Sequence, residues 1–314
     1  MKALHTILLT LAGLAFFTQN SEAQINVKLE ATKRTYVAHE PIEVVLSITN
    51  RAGRDVILGP PTNELGQKTG TSWLRFDIHN NNGHLVSPKR NAVYEPVVIP
   101  AGQTLQRKFA INQTHPMSQQ GVYRVTASAY FPNLKRYFRT AELNVNVSDG
   151  REIWRQVVGV PAGYSGEGSY RRYTLMTFSS GAKKELYFRI HDEKSGAVRA
   201  TYSLGAVILV RNPEARIDQS NRLHVLHMIA PRTYAHTVLQ VDGKIASRDI
   251  YREDARRPQL APSGVGDVVV VNGVPESEAN ASPLDADIRR LSERPKGLPR
   301  INRDTGMPIV ENGG

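Results

Sequence analysis

The stretch IEVVLSITN, residues 42–50, decides the fold of this chain. Apolar side chains recur at every second position in it, at Ile42, Val44, Leu46 and Ile48. Because successive side chains of a strand point to opposite faces, a period of two is typical of a strand with one buried face. The stretch therefore predicts a half-buried β-strand.

The same pattern extends over residues 25–148, where it predicts seven or so short strands. Turn signals separate them, among them Gly59-Pro60-Pro61, Asn82-Gly83 and Pro100-Ala101-Gly102. Short strands with turns at this spacing, over about 120 residues and without a helical period, are typical of a β-sandwich. The predicted strands lie at residues 25–29, 42–48, 56–58, 73–78, 105–111, 122–131 and 141–147.

Parts of this segment resemble a known family. Residues 36–44 (YVAHEPIEV) and 48–56 (ITNRAGRDV) look like the opening of bacterial immunoglobulin-like modules, including the BsuPI-type proteinase-inhibitor domain. Residues 121–127 (GVYRVTA) are similar to the penultimate strand of such modules. The resemblance implies an immunoglobulin-like fold for residues 24–150 and a binding role, and it transfers no active residue.

Residues 151–254 predict a second antiparallel β-domain. Lys194-Ser195-Gly196 and Asp242-Gly243 are turn signals between successive strands, so neighbours are expected to pair as hairpins. A second β-sandwich is favoured over a propeller-like meander, because only two blades' worth of strands is present. The sequence thus predicts an all-β protein with two tandem immunoglobulin-like β-sandwich domains. The second set of predicted strands covers residues 173–178, 185–191, 198–204, 206–210, 223–229, 234–241 and 245–251.

Residues 1–23 have the features of a secretory signal peptide. Lys2 precedes an apolar run at residues 7–17, and small residues stand at Ser21 and Ala23. The run is too short to cross the hydrocarbon core of a bilayer as a helix. The mature chain is therefore expected to begin at Gln24 and to be periplasmic or extracellular, without membrane insertion.

Residues 255–314 are expected to form a largely disordered tail. They contain no Phe, Trp or Tyr, whereas 22 aromatic residues precede them, and they include seven Pro and seven Gly. This composition lacks the means to build a core. Two exceptions are predicted: a short strand at residues 267–271, and a helix at residues 283–293 that follows the N-cap signal Ser282-Pro283.

The positive charge follows the two predicted domains. Residues 24–150 carry 15 basic and 9 acidic residues, residues 151–254 carry 16 and 11, and the tail carries 8 and 8. The basic residues are scattered, with no run longer than two. A solvated basic surface explains such a pattern, and attraction to an anionic envelope polymer is the alternative. The expected partner is that polymer or another exported protein, and not a nucleic acid.

Histidines are the candidate metal ligands. His224 and His227 lie three apart on a predicted strand, so they point to opposite faces and cannot share a metal ion. If Pro231-Arg232 is the tip of a hairpin, His227 lies across from His236. Since no third ligand can be named, no metal site is predicted.

The chain has no motif that identifies a catalytic residue or a cofactor. Residues 163–167 (GYSGE) resemble a nucleophile elbow, but Glu167 stands where that pattern requires Gly. The absence of Cys excludes disulfides and thiol catalysis. The glycines match neither a Walker loop nor a dinucleotide fingerprint.

Aromatic and basic side chains provide a candidate ligand surface instead. Their rings can serve as a platform for sugars, although core packing explains most aromatic residues in sandwiches. The candidates are Trp73, Trp154, Tyr164, Tyr170, Arg171, Arg172, His227 and His236.

These features favour a non-enzymatic exported envelope protein that acts as a binding or adhesion module. The BsuPI-like resemblance implies an alternative, a proteinase inhibitor that presents a loop such as residues 59–70. A third possibility is a polysaccharide-acting enzyme with a propeller-like second domain, in which Asp192 or Asp242 would be needed for turnover.

Overall fold

The computed structural model describes residues 25–276, apart from residues 64, 66 and 182. The predicted signal peptide and the predicted helix at residues 283–293 lie outside the described residues. Within the described part of the chain, no helix is long and apolar enough to span a membrane.

The protein is nearly all β. Its strands are β1 (Ile25–Ala31), β2 (Thr35–Val37), β3 (Glu43–Asn50), β4 (Val56–Leu58), β5 (Leu74–His79), β6 (Val97–Ile99), β7 (Thr104–Ala110), β8 (Gly121–Phe131), β9 (Arg136–Arg139), β10 (Leu143–Ser148), β11 (Arg151–Gly159), β12 (Tyr170–Ser180), β13 (Lys183–Asp192), β14 (Val198–Ala206), β15 (Glu214–Ile217), β16 (Leu223–Ala230), β17 (Thr233–Leu239), β18 (Ile245–Arg252), β19 (Gln259–Pro262), β20 (Val268–Val271) and β21 (Val274–Pro275).

The chain divides into two compact units, with the main boundary between Arg151 and Glu152. In the first unit, one sheet has the order β1-β3-β7 and a second has the order β2-β10-β8-β5, with β9 also paired to β8. A two-stranded sheet, β4-β6, completes it. Residues from both larger sheets pack into one hydrophobic core.

The alternation in β3 holds as predicted. Val44, Leu46 and Ile48 are at most 1% exposed, and the residues between them are half-buried. Each fully buried aliphatic side chain of this kind stabilises the fold by about 1.5–3 kcal/mol. The apolar face of β3 therefore holds its sheet against the shared core.

Strand β5 lies at the end of its sheet and pairs with β8 from Leu74↔Ala129 to His79↔Arg124. On its other side, the segment after β5 folds back, and the amide of Val86 donates to the carbonyl of Ile78 at 2.8 Å. The predicted turn at Asn82-Gly83 makes this return, with Gly83 at φ +79°. Such a φ is readily adopted only by residues without a Cβ atom.

A sheet of the order β11-β12-β13-β14 belongs mainly to the second unit, although Phe178–Ser180 of β12 and Ala200–Tyr202 of β14 are grouped with the first. Another sheet of the second unit has the order β15-β16-β17-β18-β21. A separate hairpin, β19-β20, packs on the five-stranded sheet. Leu260 and Val268 of the hairpin form a cluster with Leu226 and Tyr234 of that sheet.

The expectation of a tail beginning at residue 255 is wrong for its first part, because β19, β20 and β21 lie there. The hairpin needs no aromatic residue of its own, since it buries its aliphatic side chains against Tyr234 and Tyr251 of the neighbouring sheet. The predicted strand at residues 267–271 is confirmed as β20. It pairs with β19 and not with a free sheet edge.

The predicted strand at residues 206–210 is also wrong. Strand β14 ends at Ala206, directly after Gly205 at φ +99°, and the chain enters a turn at Leu209 and Val210. Val210 is 76% exposed, whereas Val207 is buried and its amide donates to the carbonyl of Lys184. The apolar run therefore contributes one buried side chain instead of a strand.

Candidate functional site

A groove of about 500 Å³ in the first unit is lined by β5, by residues 85–94 and by Tyr137 of β9. A second cavity of about 450 Å³ shares Phe76, Arg90 and Tyr94 with it. Both volumes fall in the range of about 300–1,000 Å³ that is usual for ligand sites. The groove and the second cavity therefore each have the volume of a binding site.

Two aromatic residues of the groove lining, Phe76 and Tyr94, pack against further aromatic rings. Tyr94 packs against Trp73 at 5.9 Å between ring centroids and against Phe109 at 5.2 Å, and Phe109 in turn contacts Phe76 at 5.7 Å. Trp73 is fully buried, and its Nε1 donates to the carbonyl of Glu95 at 2.9 Å. Burial raises the pKa of Tyr94 above its usual value. These contacts fix the segment around Tyr94, so the groove is preformed.

Two arginines border the groove through strand register. Arg75 of β5 and Arg139 of β9 both lie opposite Ser128 of β8, one on each side of it. Two strand spacings separate them, about 9.6 Å. Asp77 forms ion pairs with both, at 3.2 Å from Arg75 Nε and 3.7 Å from Arg139 Nη2, and its Oδ2 accepts a hydrogen bond from Arg75 Nη2 at 3.4 Å. Its carboxylate therefore holds two exposed guanidinium groups on one face of the sheet.

Tyr137 adds an aromatic surface beside these charges. It is 48% exposed and packs on Tyr130 at 4.8 Å between centroids, with the two rings tilted by 54°. The Arg75 guanidinium carbon lies 5.8 Å from the centre of the Tyr137 ring, within the range of a cation–π contact. An exposed ring between cationic groups can pack on a sugar face while the guanidinium groups bind anionic substituents.

The remaining charged side chain of the lining is Arg90, which is exposed. His115 also contributes to the wall, with its Nδ1 2.9 Å from the hydroxyl of Thr114. Burial lowers the pKa of His115, partly opposed by hydrogen bonds to the main chain and by the charge of Asp77. With His115 neutral at pH 7, Arg75, Arg90 and Arg139 outweigh the single carboxylate of Asp77. The groove and its border are therefore electropositive.

Four of the predicted ligand-surface residues are buried and cannot contribute exposed surface. They are Trp73, Arg171, His227 and His236, all at most 6% exposed. Tyr170 is 61% exposed, whereas Trp154, Tyr164 and Arg172 are half-buried. A ligand role for these last four residues stays a prediction.

Arg171 has a local role. Its guanidinium donates to the carbonyls of Ser165 and Val241, and so ties the Gly-rich loop at residues 161–169 to the end of the β17–β18 hairpin. Ser165 lies within that loop, and β12 follows it where a nucleophile elbow requires a helix. The loop is therefore held by a buried cation and lacks the setting of a catalytic serine.

The predicted facing of His227 and His236 is wrong by one residue. The tip of the hairpin is at Pro231-Arg232 as predicted, but the register shifts between Met228 and Ala230. A bulge of this kind moves every later pair by one position and changes which side chains share a face. His227 lies opposite Ala235 and His236 opposite Leu226.

The bulge brings a different pair of histidines together. His224 stacks on His236 at 5.3 Å between ring centroids, and His224 Nδ1 lies 3.2 Å from His236 Nε2. Burial lowers the pKa of His236 to about 4, with a further contribution from His224. On its other side His224 faces Asp218 and Asp267.

Sequence reasoning missed the residues that border the groove. Arg75, Tyr137 and Arg139 come together only because β9 pairs with β8, and β9 was not predicted. A signal does exist in RYFR, residues 136–139, a short basic and aromatic run with strand-forming side chains.

In its described part, the chain is an all-β protein with two multi-sheet units, the first of which carries an aromatic, electropositive groove. No protein-family model matches it, and a search of curated proteins found no match. Among solved structures it is similar to the sporulation control protein Spo0M from Bacillus subtilis, with 9% identity over 58% of this chain and 91% of that chain, at a TM-score of 0.25. It is also similar to a chain from a chaperone-tip adhesin complex of CFA/I fimbriae, with 10% identity over 68% and 99% of the two chains, at a TM-score of 0.21. Both TM-scores are below 0.5, and neither likeness carries an argument about function.

Proposed function

We propose that the chain is a non-enzymatic exported envelope protein whose first unit binds an anionic polysaccharide at the groove beside β5. In this proposal the two units are tandem immunoglobulin-like modules, followed by a C-terminal tail. Export rests on the signal-peptide features of residues 1–23, and the modular fold rests on the strand pattern and on the family resemblance of residues 36–56.

The observation that carries the proposal is the pair of guanidinium groups of Arg75 and Arg139 beside the exposed ring of Tyr137. Guanidinium forks match the oxygens of carboxylate and phosphate groups, and a Tyr ring offers a sugar a flat apolar surface. Asp77 orients both arginines before a ligand arrives. Preorganisation of this kind reduces the entropy lost on binding.

The charge of the whole chain favours the same class of partner. The formal net charge is +11, and residues 24–150 contribute six of these charges. Long-range attraction raises the rate of encounter with a polyanion, whereas the groove supplies the local contacts. A neutral polymer gains nothing from the long-range attraction or from the guanidinium groups, and can use only the ring of Tyr137.

The test is equilibrium binding of residues 24–314 to polygalacturonate, with neutral dextran as the reference polymer. The variant Arg75→Gln/Arg139→Gln is expected to bind at least tenfold more weakly, because each charge-assisted hydrogen bond is worth about 1.5–3 kcal/mol before solvent screening. The matched control is Arg51→Gln/Arg54→Gln. Both arginines are exposed, lie between β3 and β4, and line neither the groove nor the second cavity.

The control variant loses the same charge and is expected to keep its affinity within about threefold, since net charge contributes only a screened term. Equal losses in both double variants would show that binding follows net charge and not the groove. Equal affinity for dextran and polygalacturonate would also refute the proposal.

A second candidate, a proteinase inhibitor, is favoured by the geometry of the loop at residues 59–70. Leu65 is 82% exposed, and Asn63 Oδ1 accepts from the amides of Leu65 and Gln67 at 3.1 and 2.9 Å. An exposed apolar side chain on a braced loop suits the pocket of a protease. Stoichiometric inhibition of a protease that prefers Leu, lost in Leu65→Glu, would support this candidate, and cleavage at Leu65 without inhibition would refute it.

A further inference from the structure

We propose that Asp218, His224 and Asp267 of the second unit bind a divalent transition-metal ion, and that Arg222 competes with the metal for the same carboxylates. This site is separate from the groove, and its test is independent of the proposed polysaccharide binding.

The three side chains offer ligand atoms that all lie within 4.8 Å of one another. His224 Nε2 is 3.3 Å from Asp218 Oδ2 and 3.8 Å from Asp267 Oδ1. Around a tetrahedral Zn²⁺ ion with bonds of about 2.0–2.1 Å, neighbouring ligand atoms lie about 3.3 Å apart. The first distance already fits such an ion, and the second requires Asp267 to move by about 0.5 Å, as its more exposed side chain allows.

The imidazole of His224 is oriented by the second histidine of the stacked pair. Its Nδ1 lies 3.2 Å from Nε2 of His236, and its own Nε2 is directed at the two carboxylates. Histidines that bind metals usually donate the proton of their other ring nitrogen to a neighbouring acceptor. With the proton on Nδ1, His224 donates to His236 and presents the lone pair of Nε2 to the metal.

Asp218 is oriented by the main chain. Its Oδ1 accepts hydrogen bonds from the amides of Ser220 and Arg222, each at 2.9 Å. Its Oδ2 therefore faces His224. The Asp218 side chain is 1% exposed and that of His224 is 4% exposed. A buried carboxylate fixed in this manner is costly to desolvate and gains most from a strong counter-charge.

Asp267 comes from a different element, next to the first residue of β20. It is 44% exposed, so it closes the site from the solvent side. The other two ligands belong to the five-stranded sheet, since His224 lies on β16 and Asp218 lies in the turn between β15 and β16. The hairpin β19-β20 therefore supplies the third ligand. A bound metal would link the hairpin to this sheet, in addition to the apolar contact of Leu260 and Val268.

Arg222 occupies the same carboxylate oxygens when no metal is present. Its Nε lies 2.6 Å from Asp218 Oδ2 and its Nη2 lies 3.1 Å from Asp267 Oδ1. The Arg222 side chain is 37% exposed, so it can turn toward solvent without crossing the core. A divalent ion brings two positive charges to these oxygens, whereas the Arg222 guanidinium brings one. The metal ion and the guanidinium cannot bind the same oxygens at once.

One imidazole nitrogen and two carboxylate oxygens suit Zn²⁺ and Mn²⁺ better than Ca²⁺, which takes six to eight oxygen ligands. Water completes the coordination in the open positions. Zn²⁺ is the probe in the test below, because sites with an imidazole ligand bind Zn²⁺ more tightly than Mn²⁺ in the usual affinity order.

The test is isothermal titration of residues 24–314 with Zn²⁺ at pH 7.5. Wild-type protein is expected to bind one ion at this site, and Arg222→Gln is expected to bind it at least tenfold more tightly, because the competing guanidinium is gone. Asp267→Asn is expected to weaken binding at least tenfold, alone and combined with Arg222→Gln. His84→Gln removes an exposed histidine of the first unit and controls for surface binding, so it is expected to have no effect.

A second readout is the spectrum of bound Cu²⁺, which is expected to show coupling to one imidazole nitrogen that is lost in His224→Gln. Far-ultraviolet circular dichroism checks that each variant is folded. The proposal is overturned if neither the wild type nor Arg222→Gln binds a Zn²⁺ ion, or if the Zn²⁺ ion that they bind is lost in His84→Gln. It is also overturned if Asp267→Asn is folded and binds Zn²⁺ as tightly as the wild type does.

Discussion

Acidification is expected to destabilise the second unit through His227. The His227 side chain is 1% exposed, and in the described structure neither ring nitrogen has a hydrogen-bond partner. Burial lowers its pKa to about 4, and the charge of Arg248 adds to the shift. The main chain of Leu204 opposes this shift, although its approach to the ring falls short of hydrogen-bond geometry.

The direction in which stability changes with pH follows from the two pKa values of His227. In the unfolded chain His227 takes up a proton near pH 6.5, whereas in the folded chain it does so near pH 4. Between these values the unfolded state binds more protons. The contribution of neutral His227 to the free energy of unfolding is therefore fully present above pH 6.5 and is lost as the pH drops toward 4. A difference of about 2.5 units corresponds to about 3 kcal/mol, of which about 2 kcal/mol is lost at pH 5.

The assay is urea unfolding at pH 7.5 and pH 5 of the wild type and of His227→Leu, followed by the fluorescence of Trp154 in a Trp73→Phe background. The variant removes the titrating group and two polar atoms without partners. It is expected to be at least as stable as the parent at pH 7.5, and to lose about 2 kcal/mol less on going to pH 5. Because His236 also titrates at low pH, the comparison is the difference between the two proteins. Equal losses would refute the reasoning.

Two further predictions concern stability at neutral pH. Trp73→Phe removes the hydrogen bond to the carbonyl of Glu95 and part of the packing against Tyr94, and is expected to cost the first unit about 1–3 kcal/mol, measured by thermal unfolding. Arg171→Met leaves the carbonyls of Ser165 and Val241 without their donor, and is expected to destabilise the second unit by about 3 kcal/mol. Limited proteolysis is expected to cleave this variant first in the loop at residues 161–169, and unchanged proteolysis would argue against a bracing role of Arg171.

The sequence predicts the strands that carry a strong period of two. The alternation of residues 42–50 is read directly from the chain because one face of β3 packs on the core and the other does not. The runs at residues 56–58 and 122–131 coincide with β4 and β8 to within a residue. The period is informative wherever burial is one-sided.

Strands with little burial were missed. β9 and β11 have mostly exposed or half-buried side chains, so hydrophobic periodicity gives no signal there. Pairing with a neighbouring strand stabilises them, and this is a tertiary effect. The groove could not be predicted for the same reason, since its border depends on β9 lying beside β8.

The histidine cluster shows a different limit. The hairpin tip at Pro231-Arg232 was predicted correctly from the sequence, yet a single bulge before it reversed which histidines share a face. No residue in LHVLHMIA, residues 223–230, identifies the position of a bulge. The partners of His224 come from the turn at Asp218 and from a hairpin that was assigned to a disordered tail.

The salt dependence of polysaccharide binding distinguishes contacts in the groove from attraction by net charge. Residues 24–314 are titrated with polygalacturonate and with dextran at 0.05 and 0.5 M NaCl, which shortens the Debye length from about 14 to about 4 Å. We expect binding to polygalacturonate to weaken at high salt and to keep the part that is due to Tyr137. At low salt, Arg75→Gln/Arg139→Gln is expected to bind at least tenfold more weakly than Arg51→Gln/Arg54→Gln. Absence of binding at 0.05 M NaCl, or identical binding by the two double variants, would contradict the proposal.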